Sequence, residues 1–323
     1  MDKQDEILRI LPLEIRRVIK GLGLSFDSVQ EIRIRVNSPL LILYKGREID
    51  AGYTYDRIKY KQGLKVRLKD VREMMELICE HSAYAFEEEM RQGYVTIEGG
   101  HRIGIAGKTI LCNESIKNMK HISCLNIRVA GQMLGCADDI VGQLIQNDVD
   151  SDGRLYHTLI LSPPGGGKTT LLRDIIRQLS SGSTRGKVRY AGMNVGVVDE
   201  RSEICACYLG VPQNDVGPRT DVLDGCPKAE GMIRLVRSMS PDVIAVDEIG
   251  VKRDYEAIEY ALTCGCSIIA TIHGRNIDDL RNNLYLKKCF DDGMFERIVI
   301  PGGVSGKGNR IYNDKGVLLY GLG

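Results

Sequence analysis

The chain has 323 residues, 43% hydrophobic and 27% charged, with a net charge of +1. This is the composition of an ordinary globular protein long enough to bury two cores, and it makes no global demand for nucleic acid or an anionic surface. No apolar run approaches the ~18 residues of a membrane span, and the opening MDKQDEILRILP lacks a signal peptide's apolar stretch, so a cytosolic protein is expected.

In EILRILPLEIRRVI, the residues Ile7, Leu11, Ile15, Val18 and Leu22 share one helical face, with Pro12 separating two short helices. EIRIRV (31–36) and LLILY (40–44) follow as paired strands across Asn-Ser-Pro. Residues 69–93 carry a helical pattern ending at Gly93; 94–107 read as a hairpin around Gly99-Gly100, and LNIRVA (125–130) as a strand. The polar stretch QNDVDSDGR (146–154) marks the expected domain boundary, giving an amino-terminal α+β domain over 1–150 and a second domain over 151–323. From Leu155 onward, short apolar strands alternate with helices: LYHTLIL, TTLLRDIIRQL, NVGVVD, AEGMIRLVRSM, VIAVD, YEAIEYAL and SIIAT. That alternation predicts an α/β domain with a parallel sheet and a ligand at the strands' carboxyl ends.

SPPGGGKT (162–169) is a phosphate-binding loop with Ser162 where the general motif has glycine. Its backbone N–H groups would cradle phosphates at a helix's positive end. Pro164, Gly165, Gly166, Gly167, Lys168, Thr169 and Thr170 are therefore the expected nucleotide ligands, with Lys168 on the β/γ-phosphates and the Thr169 hydroxyl on Mg²⁺. VIAVDEIG ends a strand in Asp247-Glu248; the first acid is expected to support Mg²⁺ and the second to orient the attacking water. VVDERSE ends another strand in Asp199-Glu200-Arg201, and ATIHG a third in Thr271 and His273, the latter a phosphate-sensing candidate, so three strand ends could face one γ-phosphate. The polar stretch 216–232 reads as a loop, with Arg219 as its anion ligand.

Ten cysteines occur, including the C-x-C pairs 205/207 and 264/266 but no C-x-x-C, so structural thiols in a reducing compartment are expected rather than zinc. RIKYKQGLKVRLKDVR (57–72) holds seven basic residues; it suits a solvated surface, anionic lipid or nucleic acid. GGVSGKG (302–308) has no hydroxyl after its lysine and reads as a hairpin turn.

The segments EIRIRVNSPL, GYVTIEGGHRIGIAG, LNIRVA, SPPGGGKTTLLRD, VVDERSEI, GPRTDVLDGCPKAEGM, SMSPDVIAVDEIG and ATIHG together resemble the stage III sporulation protein AA family, itself similar to the secretion ATPases of type II and type IV systems. The likeness covers nearly the whole chain. It implies a RecA-like ATP hydrolase using ATP and Mg²⁺, a homo-hexameric ring, and docking on membrane channel proteins of the sporulation complex. It also implies a mother-cell cytosolic place, peripheral to the outer forespore membrane. The resemblance carries over an aspartate box onto Asp199 and Glu200, with Asp199 near the metal and Glu200 catalytic, Walker B acids onto Asp247 and Glu248, and a histidine box onto His273.

In a ring, Arg102 and Arg128 become candidate γ-phosphate contacts from the first domain, against local ion pairs with Glu98 or the acids at 87–89. Peripheral membrane contact is an open partner, and nucleic acid is disfavoured. Two competing readings are a nucleic-acid-linked ATPase of RecA-like fold and a nucleotide-gated platform with little turnover.

Overall fold

The computed structural model describes residues 2–61, 63–79, 90, 93–112, 115–146, 153–183, 189–281, 287, 293–303 and 308–321. The chain divides into two compact units, Met1–Gly131 and Gln132–Gly323.

The amino-terminal unit begins with α1 (Lys3–Leu8) and α2 (Leu13–Gly21), broken at Pro12 as its locked φ requires. Ile7, Leu11, Ile15 and Val18 are buried, while Leu22 lies beyond the helix as its cap and is half-buried. These helices, with α3 (Ala51–Tyr55) and α4 (Leu68–Cys79), accompany a six-stranded antiparallel sheet. Its strands are β1 (Val29–Arg35), β2 (Leu41–Tyr44), β3 (Arg47–Asp50), β4 (Tyr94–Ile97), β5 (His101–Cys112) and β6 (Ser115–Arg128), in the order β3-β2-β1-β6-β5-β4. Strand alternation buries Ile32, Ile34, Ile103, Leu125 and Ile127 on one face. It places Glu31, Arg128 and Arg102 in one cross-strand row on the other. The hairpin at Gly99-Gly100 forms as expected, both glycines having positive φ, but its second strand runs on into a long ribbon with β6 that the apolar pattern did not mark. The helix expected over 69–93 is seen at Leu68–Cys79; residues 80–89, 91 and 92 lie outside the described residues.

The second unit holds an eight-stranded sheet in the order β14-β13-β12-β7-β11-β10-β8-β9. Six strands run parallel: β7 (Thr158–Ser162), β8 (Val195–Asp199), β9 (Thr220–Asp224), β10 (Val243–Val246), β11 (Ser267–His273) and β12 (Arg297–Ile300). An antiparallel pair, β13 (Arg310–Asn313) and β14 (Leu318–Tyr320), closes one edge. Residues of β7, β8 and β10 are buried throughout, as two-sided coverage demands. The covering helices include α5 (Lys168–Ser181), α6 (Lys228–Met239) and α7 (Lys252–Thr263).

The expected boundary at 150/151 is corrected to 131/132. Ala137, Ile140, Leu144 and Ile145 look like a tail of the first domain in sequence, but they are buried in the same core as Leu155, Ile160 and Leu171. The stretch 216–232 is likewise not all loop: Thr220–Asp224 adds a parallel edge strand to β8. Arg219 is exposed, and its guanidinium donates to the Ser180 carbonyl at 3.0 Å. Cys136, Cys205, Cys207 and Cys266 are buried free thiols, whereas Cys264 is exposed. The second glycine stretch connects the antiparallel strands β12 and β13, with residues 304–307 outside the described residues. Among the described residues, no helix is long and apolar enough to cross a membrane.

Candidate functional site

Three parallel strands deliver the expected side chains to one end of the sheet. Strand β7 ends at Ser162, the loop 163–167 follows, and α5 starts at Lys168. Gly167 has φ +89, open to glycine at little cost. Gly166 is required for a different reason: a Cβ there would lie 2.0 Å from the Ser162 hydroxyl. Ser162 is 2% exposed, and its Oγ donates to the Pro163 carbonyl at 3.1 Å. The serine in place of the first glycine is thus accommodated inside the loop and fills the space over Gly166. Pro164 is exposed in the loop, and Thr170 lies half-buried in the first turn of α5.

Lys168 is buried, and its Nζ lies 2.9 Å from Glu248 Oε1. His273 Nε2 reaches the same oxygen at 2.9 Å, while Arg201 approaches Oε2 at 3.6 Å. Burial opposes the charge on Glu248, but Lys168 first, then His273 and Arg201, outweigh it and hold the carboxyl below the usual range. Thr169 Oγ1 donates to Asp247 Oδ2 at 2.8 Å. Fully buried Thr271 donates to Asp247 Oδ1 and accepts the Glu248 N–H at 2.8 Å. One hydroxyl from β11 therefore positions both acids following β10. Glu248 has φ +53, a left-handed conformation that costs a non-glycine residue on the order of 1 kcal/mol or more and is found at sites that over-determine it.

Asp199 and Glu200 have other engagements. Asp199 is 1% exposed, and its carboxylate accepts the backbone N–H groups of Glu203, Ile204 and Cys205. Burial pushes this carboxyl up to about 6, although those donors resist the shift. Expected near the metal, Asp199 has both carboxylate oxygens accepting these N–H groups and so holds the loop in place. From the other side Arg173 of α5 donates to the Glu203 and Ile204 carbonyls, tying the same loop to the phosphate-loop helix. Glu200 accepts from Lys228 at the start of α6. Glu200, Arg201, Lys228, Asp247 and Glu248 line one cleft.

Arg102 and Arg128 belong to the amino-terminal unit, where they are cross-strand partners. Arg102 stacks 4.8 Å from the Tyr94 ring centre. Arg128 is 66% exposed and lies 4.0 Å from Glu31. The alternative partner Glu98 is paired with Arg9 instead, and residues 87–89 lie outside the described residues.

A glycine-rich loop before a helix, a strand-end Asp-Glu pair bridged by threonine, and a strand-end histidine meet in one constellation. The match to the family described as Sporulation stage III, protein AA, runs over residues 1–319. The chain belongs to this family. A curated relative, Stage III sporulation protein AA of Bacillus subtilis, is 37% identical over 318 residues, covering 98% of this chain and 97% of its own.

Two solved structures share the fold. The ATPase DotB of Legionella pneumophila has a TM-score of 0.56 at 13% identity, covering 94% of this chain and 81% of its own. The pilus retraction motor PilT, solved with ADP bound, has a TM-score of 0.56 at 14% identity, covering 98% and 84%. These likenesses place this family member's chain in the RecA-like α/β class expected from its strand–helix alternation.

Arg173 and Lys228 are site residues that sequence reasoning missed, because nothing in the sequence links either to the cleft. Arg201, expected at the end of β8 beside Asp199-Glu200, does reach the site, at Glu248.

Proposed function

We propose that this chain is a Mg²⁺-dependent ATP hydrolase of the secretion-motor kind. It would work as a self-assembled ring at the cytosolic side of a membrane channel used during sporulation. The observation that carries this reading is the convergence of Lys168, Thr169, Asp247, Glu248 and His273 at one sheet end. The family match and the fold shared with DotB and PilT support it.

The residues present fit a magnesium–triphosphate. Mg²⁺ takes much of its shell from phosphate and water and needs few protein ligands. Thr169 and Asp247, already hydrogen-bonded to each other, would hold it, and it would neutralise charge developing on the phosphates. Lys168 would leave Glu248 for the incoming phosphates. Glu248, released from its lysine but still facing His273 and Arg201, would then orient the attacking water. Asp199 would serve by fixing the loop that carries Arg201. Arg102 and Arg128 remain candidates for γ-phosphate contact across subunits, and ATP is preferred over GTP mainly by analogy with the family, the chain having no N-K-x-D base-reading motif.

The test is ATP turnover against protein concentration, with particle size measured in parallel. Turnover should rise steeply with assembly and disappear in Lys168→Ala. A second reading, a nucleotide-gated platform with little turnover, is favoured by Lys168, His273 and Arg201, which together hold Glu248 low and weaken it as a base. Turnover of the native protein no higher than that of Lys168→Ala, with ATP binding retained, would establish the platform instead.

A further inference from the structure

The amino-terminal unit carries a face that the nucleotide chemistry leaves unused. Residues 13–21 and 51–69 hold nine Lys or Arg against two acids, in a chain whose net charge is only +1. Positive charge is therefore concentrated here. Helix α2 buries Ile15, Val18 and Ile19 and turns Leu13, Arg17 and Lys20 outward at helical spacing. The ring of Tyr55 lies across Gly21 so closely that a Cβ there would fall 2.1 Å from it, which seams α3 to the end of α2. The Asp56 carboxylate accepts the N–H groups of Ile58 and Lys59, each at 3.0 Å, and so fixes the turn after α3. Lys59 in turn lies 3.9 Å from Glu14 of α2.

Ile58, in this pinned turn, is 85% exposed; Leu13 of α2 is 66% exposed and Tyr53 of α3 44%. Arg57 lies over the Tyr53 ring at 5.3 Å. A single exposed hydrophobic side chain needs no explanation. Several on one basic face, the most exposed of them held out by a carboxylate-capped turn, make an amphipathic surface. Nucleic acid could meet the cations and stack a base on Tyr53, but the aliphatic tip of Ile58 gains nothing against a phosphate backbone. A bilayer uses both parts: headgroup phosphates meet the cations, and the apolar tip reaches the acyl boundary.

We propose that this face docks on an anionic lipid bilayer, with Ile58 and Tyr53 entering the interface and Arg17, Lys20, Arg57 and Lys61 meeting the headgroups. It is independent of the nucleotide reading, and a chain that never hydrolysed ATP would still be expected to bind. The test is flotation of the full chain with vesicles of phosphatidylcholine alone and of phosphatidylcholine mixed equally with phosphatidylglycerol. Binding should need the anionic lipid, weaken as salt rises, and fall roughly fivefold for each of Arg17→Gln and Lys61→Gln. The chain contains no tryptophan, so Ile58→Trp gives a single reporter whose emission should shift to the blue with mixed vesicles and stay unshifted with neutral ones. Equal flotation on both vesicles, an unshifted emission on the mixed ones, or binding to DNA in place of vesicles would each overturn the proposal.

Discussion

Glu248→Gln tests the ground state of the site and its chemistry together. The Glu248 carboxylate sits 2.9 Å from Lys168, so a triphosphate reaching that lysine would displace it. At an effective dielectric of about 20, unit charges at this spacing attract by about 6 kcal/mol. Desolvation takes back most of that, since Lys168 is only 7% exposed, and a hydrogen bond between charged groups retains a net of about 1.5–3 kcal/mol. Glutamine removes the opposite charge and keeps a weaker hydrogen bond to the ammonium, about 1 kcal/mol less favourable. The difference of roughly 1 kcal/mol becomes a lower barrier to displacement, and ATP should bind about five- to tenfold more tightly. Turnover should meanwhile fall by about 10²–10⁴ because the water loses its orienting group. Equilibrium binding of a fluorescent ATP analogue with excess magnesium, run beside phosphate release, reads both quantities. A folded Glu248→Gln protein binding no more tightly than the parent would refute the idea that Glu248 occupies the phosphate position of Lys168.

Other expectations follow from single contacts. Thr271→Val removes the hydroxyl that joins Asp247 to the Glu248 N–H; urea denaturation should show a loss of about 1–3 kcal/mol, and turnover should drop with it. Gly166→Ala forces a methyl against the Ser162 hydroxyl and should weaken ATP binding. Adding Ser162→Gly should recover part of that loss, a coupling of about 1–2 kcal/mol, and strictly additive effects would contradict the packing described. The Asp199 carboxyl is raised from 3.8 to about 6 by burial, so the folded state binds the extra proton between those values. Its contribution to stability is complete below about pH 4 and is lost as pH rises through 6, on the order of 3 kcal/mol in all. Denaturation midpoints measured across that window should slope less in Asp199→Asn than in the parent.

The sequence by itself determined the elements whose signal is local. Ser162–Thr169 announced a phosphate loop because glycines, lysine and hydroxyl must be contiguous to wrap a polyphosphate. The apolar strands ending in Asp247-Glu248 and His273 announced a parallel sheet because two-sided burial leaves near-continuous apolar runs. Tertiary structure alone decided the relations between distant residues. That Thr271 positions both acids depends on β10 pairing with β11. That Lys168 and His273 share one oxygen of Glu248 depends on β7 and β11 lying side by side. Asp199 looked like a metal ligand, and only its burial against three backbone N–H groups gave it a structural task. The boundary moved for the same kind of reason, because Ile140 and Leu144 are apolar in any context, and which core they enter is settled by packing.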